Sequence, residues 1–141
     1  MNVPTCTRKI QFCAGHRVMN HESKCANLHG HQYELFVTAK AVRLDSLGRV
    51  IDFSVLKQVI GGWIDEHWDH GTILSEDDHQ WIAAFVAARS KLFILPYNPT
   101  AENMAYYLLD FFSKKMLSDF GVQIIKIKLY ETENCYAEVT A

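Results

Sequence analysis

The segment Cys25-Ala-Asn-Leu-His29-Gly-His31 brings a thiol and two imidazoles into one short stretch. A single residue separates His29 from His31, so in an extended strand both rings point to the same face and can reach one metal ion. A third histidine, His16, ends an earlier run with strand character. Three neutral imidazoles that leave a fourth position open are the pattern of a catalytic rather than a structural zinc site. A thiol beside such a centre is a candidate base or nucleophile, because the thiolate is the reactive form and a nearby cation favours it. The alternative for a His-x-His pair is a half-exposed polar strand face. The flanking Cys25, the distant His16 and an Asp69-His70 pair weigh towards the metal.

Asp69 beside His70 can orient the imidazole and raise its basicity, which makes a proton relay; the alternative is a loop aspartate next to a surface histidine. His67 and His70 are three apart and can share a helix face as a second metal site, or serve structurally at a helix end. His21 stands in a polar loop as a ligand or as a loop residue. The four cysteines, Cys6, Cys13, Cys25 and Cys135, show no CxxC spacing and read as thiols rather than as two disulfides. Cys13 and Cys135 fall in strand-like runs and are expected to be small core or strand residues, whereas Cys25 has histidine-rich company.

The elements that must position these groups come from a chain of 141 residues, the size of one domain with a real core. Hydrophobic residues make up 49% and charged residues 21%, and the net charge is −2. No run of Lys or Arg appears, which argues against a nucleic-acid surface but leaves room for an anionic small molecule in a local pocket. No apolar stretch approaches a membrane span, and Met1 to Cys6 lacks the charged and apolar regions of a signal peptide. The expected compartment is the cytoplasm.

Alternation of apolar and polar residues predicts strands over Thr7–Cys13 and His31–Val42, the latter with Tyr33, Leu35, Val37, Ala39 and Ala41 on one face. Leu44–Arg49 reads as a turn in which Gly48 supplies a positive φ, and Val50–Phe53 as a returning strand. Asp52 or Ser54 can cap a helix over Val55–Trp68, with Leu56, Val59, Ile60, Trp63, Ile64 and Trp68 inward. Gly61-Gly62 inside it is expected to mark close packing on the sheet, and Gly71 to stop the helix. Ser75-Glu76-Asp77-Asp78 reads as the cap and acidic first turn of a helix to about Ser90, followed by a short apolar run Leu92–Leu95. Thr100 caps a third helix that ends near Phe120-Gly121, and Val122–Tyr130 and Cys135–Thr140 complete the strands.

The order β-β-β-α-α-(β)-α-β-β predicts an α+β domain over residues 1–141, a mostly antiparallel sheet of about four strands with helices packed on one face. Such a sheet leaves edges that need pairing or protection, so an oligomer that continues the sheet is expected.

These features together resemble the 6-pyruvoyltetrahydropterin synthase and 6-carboxytetrahydropterin synthase family across most of the chain. The resemblance rests on Phe12-Cys13-Ala14-Gly15-His16, Cys25 to His31, Val50-Ile51-Asp52-Phe53 with Leu56-Lys57, Asp69-His70, Asn98-Pro99-Thr100-Ala101-Glu102-Asn103 and Tyr130-Glu131-Thr132. The short Cys-x-x-x-His-Gly-His spacing is similar to the bacterial carboxy-type enzyme of queuosine biosynthesis. The resemblance implies Zn2+ on His16, His29 and His31, Cys25 as proton acceptor, and Asp69 with His70 as relay. It also implies that Glu131 anchors the pterin and takes part in the relay, with Thr100 and Glu102 lining the same pocket.

By the same resemblance the fold is the tunnelling fold, in which sheets of three subunits join into a barrel and two trimers stack as a hexamer with active sites between subunits. The implied substrate is 7,8-dihydroneopterin triphosphate, converted by a zinc-dependent lyase to 6-carboxy-5,6,7,8-tetrahydropterin with loss of acetaldehyde and triphosphate. The alternatives are a pyruvoyl-type synthase, a non-catalytic metal- or pterin-binding oligomer, and a metal-free hydrolase using Cys25 and His70.

Overall fold

The computed structural model describes residues 2–141. Two long strands, β1 (Thr5–His16) and β2 (His29–Lys40), pair antiparallel over their full length and form the backbone of the sheet. Their alternation matches the pleat: Ile10, Phe12, Ala14, Tyr33, Leu35, Val37 and Ala39 are buried on one face, while Lys9, Gln11 and Glu34 form ion-pair and hydrogen-bond contacts on the other. The sheet order is β4-β3-β1-β2-β5-β6, with β3 (Gly71–Ser75), β4 (Leu92–Leu95), β5 (Gln123–Thr132) and β6 (Cys135–Thr140). The β1–β2, β2–β5 and β5–β6 pairs are antiparallel, whereas β1–β3 and β3–β4 are parallel.

The helices cover the apolar face. A continuous helical stretch begins as α1 (Phe53–Leu56), widens to a π turn over Lys57–Gly61 and ends as α2 (Gly62–His67). The Asp52 carboxylate accepts from the Ser54 N–H at 2.9 Å and caps its start. Leu56, Ile60, Ile64 and Trp68 reach the core, as their spacing requires. The second helix is α3 (His79–Ala87), and the third, α4 (Ala101–Ser113), buries Met104, Ala105, Leu108, Leu109 and Phe112 against β5 and β6. Among the described residues no helix is long and apolar enough to cross a membrane.

The sheet has six strands rather than about four. Gly71–Ser75 is a strand, not a stop and a cap: Gly71, Ile73, Leu74 and Ser75 are all buried, and a short inner strand covered on both faces shows no alternation to read. Val50–Phe53 is not a strand. Val50 and Ile51 are buried, but the segment has no ladder partner and leads straight into the Asp52 cap.

The second helix starts at His79 instead of Ser75. The third ends at Ser113, and Leu117 and Phe120 pack on the core from a turn closed by Gly121 at φ +69°. Gly61 and Gly62 do not mark close packing either: an added Cβ at Gly61 meets only ordinary contacts, and at Gly62 nothing within 4 Å.

Leu35 sits on a central strand with no exposed surface. Leu35→Ala is expected to lower unfolding stability by about 2–5 kcal/mol, read from the denaturant midpoint at unchanged slope. A loss below about 1 kcal/mol would contradict this account of the core.

Candidate metal centre and active site

The register of β1 and β2 builds the centre. His16 lies directly opposite His29, and Ala14 opposite His31, so three imidazoles gather at one end of the apolar face. The rings meet edge to face with centroids 4.7–5.1 Å apart. His16 is 1% exposed. Gly15 and Gly30 pair between them with their open side to the other face, where a Cβ at Gly30 would lie 3.3 Å from the Ala14 carbonyl.

The hydrogen bonds decide which nitrogens are free. His16 Nδ1 donates to the Pro99 carbonyl at 2.7 Å, and His29 Nδ1 donates to the Asn27 carbonyl at 2.7 Å. In each neutral ring the Nε2 is then a bare lone pair. Those two Nε2 atoms face each other at 3.2 Å, a contact that repels unless a cation lies between them. Ligand atoms about 2.0–2.1 Å from a tetrahedral ion lie about 3.3 Å apart, which is nearly this separation. His31 Nε2 is buried and has no aligned hydrogen bond, although Glu131 Oε1 stands 2.9 Å from it out of line. Carbonyl acceptors fixing the far nitrogens are the usual outer support of metal-binding histidines. The donor set therefore fits a metal ion.

Burial holds His16 and His31 below the ordinary imidazole range and outweighs the opposing pull of Glu131, and for His16 also of the Pro99 carbonyl. Both rings are thus biased to the neutral, ligating form. Glu131 completes a group of four in which one ligand atom from each of His16, His29, His31 and Glu131 lies within 4.8 Å of the others. It occupies the irregularity where β5 shifts register against β6 between Tyr130 and Thr132, and bulges commonly re-aim a side chain in this way. The Tyr33 hydroxyl is buried beside these rings without a partner, and burial pushes its phenol well above the usual range.

The remaining expected residues fall around this group. Cys25 lies outside the set of ligand atoms, on a 3-10 turn over Lys24–Ala26, and is partly buried. Thr100 is the N-cap of α4, its hydroxyl accepting from the Asn103 N–H at 3.1 Å. Glu102 and Glu131 line one cavity of about 200 Å3 with Cys135, Tyr136 and Ala137. His21 Nδ1 accepts from the Ser23 N–H, and His67 packs on Trp63 and Phe93, so both are structural. Among the described residues no second cluster of this kind forms. All four cysteines are free thiols, but Cys13 and Cys135 are exposed on their strands and are not core residues. Cys13 Sγ instead donates to Gln32 Oε1.

Asp69 and His70 lie at the same end of the sheet but not with the cluster. Asp69 Oδ2 accepts from His70 Nδ1 at 2.8 Å, which leaves His70 Nε2 outward. The pair is stitched to Cys13, whose N–H donates to Asp69 Oδ1 and whose carbonyl accepts from the His70 N–H at 2.7 Å. This holds His70 at φ +60°, a conformation rare outside glycine. Cys13 points to the face opposite Ala14 and His16, and His70 borders a shallow depression there with Gly15, Gly30, His31 and Gln32. The His70 side chain is 79% exposed. The strand pleat thus sets Cys13 with its Asp69-His70 partners on one side and the ring cluster on the other, with His31 also bordering the depression.

Desolvation raises the Asp69 carboxyl, but hydrogen bonds from Cys13 and His70 and the nearby Lys91 outweigh it and hold the group below the usual carboxylate range. A carboxyl depressed on folding adds stability above its unfolded value of about 3.9, and that stability is lost as pH falls through the lower folded value. Asp69→Asn is therefore expected to unfold at lower temperature than the unsubstituted protein at neutral pH, with the gap closing in acid below about pH 3.9. A gap that persists unchanged to acid pH would contradict it.

Comparison with known proteins shows the family and the fold. The family model for 6-pyruvoyl tetrahydropterin synthase matches residues 5–141. The 6-carboxy-5,6,7,8-tetrahydropterin synthase of Rickettsia bellii is 42% identical over 136 residues, covering 95% of this chain and 98% of that protein. Among solved structures, an uncharacterised protein from Wolinella succinogenes superposes with a TM-score of 0.82 at 22% identity, covering 97% of both chains. The 6-pyruvoyl tetrahydropterin synthase of Caenorhabditis elegans superposes with a TM-score of 0.68 at 22% identity, over 100% of this chain and 97% of that one. The α+β architecture is accordingly the tunnelling fold, and the chain belongs to the 6-pyruvoyl tetrahydropterin synthase family.

Proposed function

We propose that this chain is a 6-carboxy-5,6,7,8-tetrahydropterin synthase, a lyase acting on 7,8-dihydroneopterin triphosphate and releasing acetaldehyde and triphosphate, in queuosine biosynthesis. The observation that carries the reading is the pair of imidazole lone pairs converging at 3.2 Å with His31 Nε2 unpartnered beside them. The 42% identity to the Rickettsia enzyme favours the carboxy-type product.

We assign Zn2+ to His16, His29 and His31, since imidazole donors suit it and three such ligands leave an open position. When bound, the ion supplies Lewis-acid polarisation of a substrate oxygen. Cys25 as thiolate takes a proton from a carbon of the substrate side chain. Glu131 faces the cavity it shares with Glu102 and accepts from the amino and ring N–H groups of the pterin, with Thr100 at the cavity's edge. His70, oriented through Nδ1 by Asp69, carries protons on Nε2. Because that pair looks out on the face opposite the cluster, its partner site is that of a neighbouring copy. This reading requires a homo-oligomer, and we take it to be a hexamer of two stacked trimers.

The test is product identification by mass spectrometry after incubation with 7,8-dihydroneopterin triphosphate, run on the unsubstituted protein and on Cys25→Ala. The expected products are 6-carboxytetrahydropterin and acetaldehyde, with Cys25→Ala keeping its metal and losing about 10²–10⁴-fold in turnover. A pyruvoylpterin would move the assignment to the sister activity. Metal binding without turnover would make the protein a binding oligomer. Full activity of Cys25→Ala would remove the thiol from the mechanism.

A further inference from the structure

We infer that Arg17 and Asp78 form a positioning couple that fixes the Cys25 turn against the sheet and thereby sets the reactivity of its thiol; the inference rests on Cys25 being the proton acceptor. Asp78 stands at the N-cap of α3, where an aspartate ordinarily accepts from the first backbone N–H groups of the helix. Its carboxylate makes no such bond. It is 3% exposed and accepts instead from Arg17 Nε at 2.5 Å, across 61 positions of sequence. The other arm of the guanidinium, Nη1, donates to the Ala26 carbonyl at 2.9 Å. Ala26 follows Cys25 directly, and Arg17 follows the cluster residue His16. One planar fork thus ties the end of β1, the thiol turn and the start of α3 into a single unit.

Other contacts hold the same turn beside it, and His29 Nδ1 donates to the Asn27 carbonyl. Val18 N–H donates to the Cys25 carbonyl at 2.9 Å, and the turn itself is closed only by the Ala26-to-Ser23 and Asn27-to-Lys24 bonds. Asn98 grips the far limb, accepting from the Met19 N–H at 2.9 Å and donating to the Met19 carbonyl at 3.0 Å. Neither contact reaches the thiol limb beyond Val18. Arg17 is 24% exposed and Asp78 3%, and replacing such a pair by apolar side chains of similar volume is often neutral for stability. Proton transfer falls steeply when the base is displaced by about an ångström, and the fork's fixed geometry joins the Val18-to-Cys25 and His29-to-Asn27 bonds in holding the turn in register.

Two variants test the couple. Arg17→Lys keeps a positive charge for Asp78, but one ammonium cannot span both the carboxylate and the Ala26 carbonyl. The double variant Arg17→Met with Asp78→Leu replaces the buried pair by apolar side chains. Each is read by thermal unfolding, metal content, kcat and KM, and the rate of iodoacetamide alkylation at Cys25 followed by peptide mass. The expected result is a folded, metal-retaining protein whose kcat falls at least about tenfold at little-changed KM. The alkylation rate at Cys25 is expected to change at least about threefold, in step with the loss of turnover. Unchanged kcat and alkylation in a folded variant overturn the inference. So does a fall in kcat with unchanged alkylation, and so does failure of both variants to fold, which would make the pair structural. The alkylation rate reports the thiol's setting independently of turnover, so an active Cys25→Ala would overturn the catalytic reading while leaving this measurement interpretable.

Discussion

Two nitrogen lone pairs point at each other across 3.2 Å at the end of the long hairpin. Among the described residues no side chain donates to either nitrogen, and Glu131 Oε1, 3.9 Å from His16 Nε2, adds a further acceptor. Both far nitrogens spend their protons on backbone carbonyls, of Pro99 and of Asn27, so neither ring can turn its proton inward without leaving a carbonyl unsatisfied. The strand register sets the pair opposite one another, the residue before the α4 cap supplies one carbonyl, and the Cys25 loop supplies the other. The long hairpin, the entry to α4 and the loop after β1 thus converge on one requirement, a cation between imidazoles.

Much of the site was legible because its signals are local. A His-x-His pair in a strand needs only the two-residue pleat to be understood, and Tyr33, Leu35, Val37 and Ala39 on the buried face confirm the same register. The turn at Gly48 and the cap at Asp52 are equally local and were readable for the same reason. What could not be read depends on contacts between distant segments. The strand Gly71–Ser75 is short and buried on both faces, so its pattern is indistinguishable from a helix end followed by a cap. Glu131 was indicated only by family resemblance, because a lone acidic residue in a strand shows no periodicity. Its place against His31 emerges only when β5 docks beside β2. Asp78 was hidden in an acidic run that resembled the first turn of a helix, and Arg17 had no patterned neighbours at all.

The exposed face of the sheet matters as much as the apolar one. Lys9 with Glu34 and Lys126 with Glu138 line it with paired charges, and Asp69-His70 stands at its end with an outward nitrogen. A single chain leaves that acid-base pair facing away from the imidazoles. The residue types expected of a proton relay are present and held in a strained, well-bonded turn. The groups expected to carry chemistry thus divide between the two sheet faces.

The most direct test of the central claim is X-ray absorption at the metal edge of the purified protein, combined with metal content per chain. The account predicts one zinc ion per chain with three imidazole nitrogens and light-atom scatterers only, at about 2.0–2.1 Å. A sulfur scatterer at about 2.3 Å would put Cys25 in the coordination sphere instead of beside it, and a protein without stoichiometric metal would leave the converging lone pairs unexplained; either result contradicts the account.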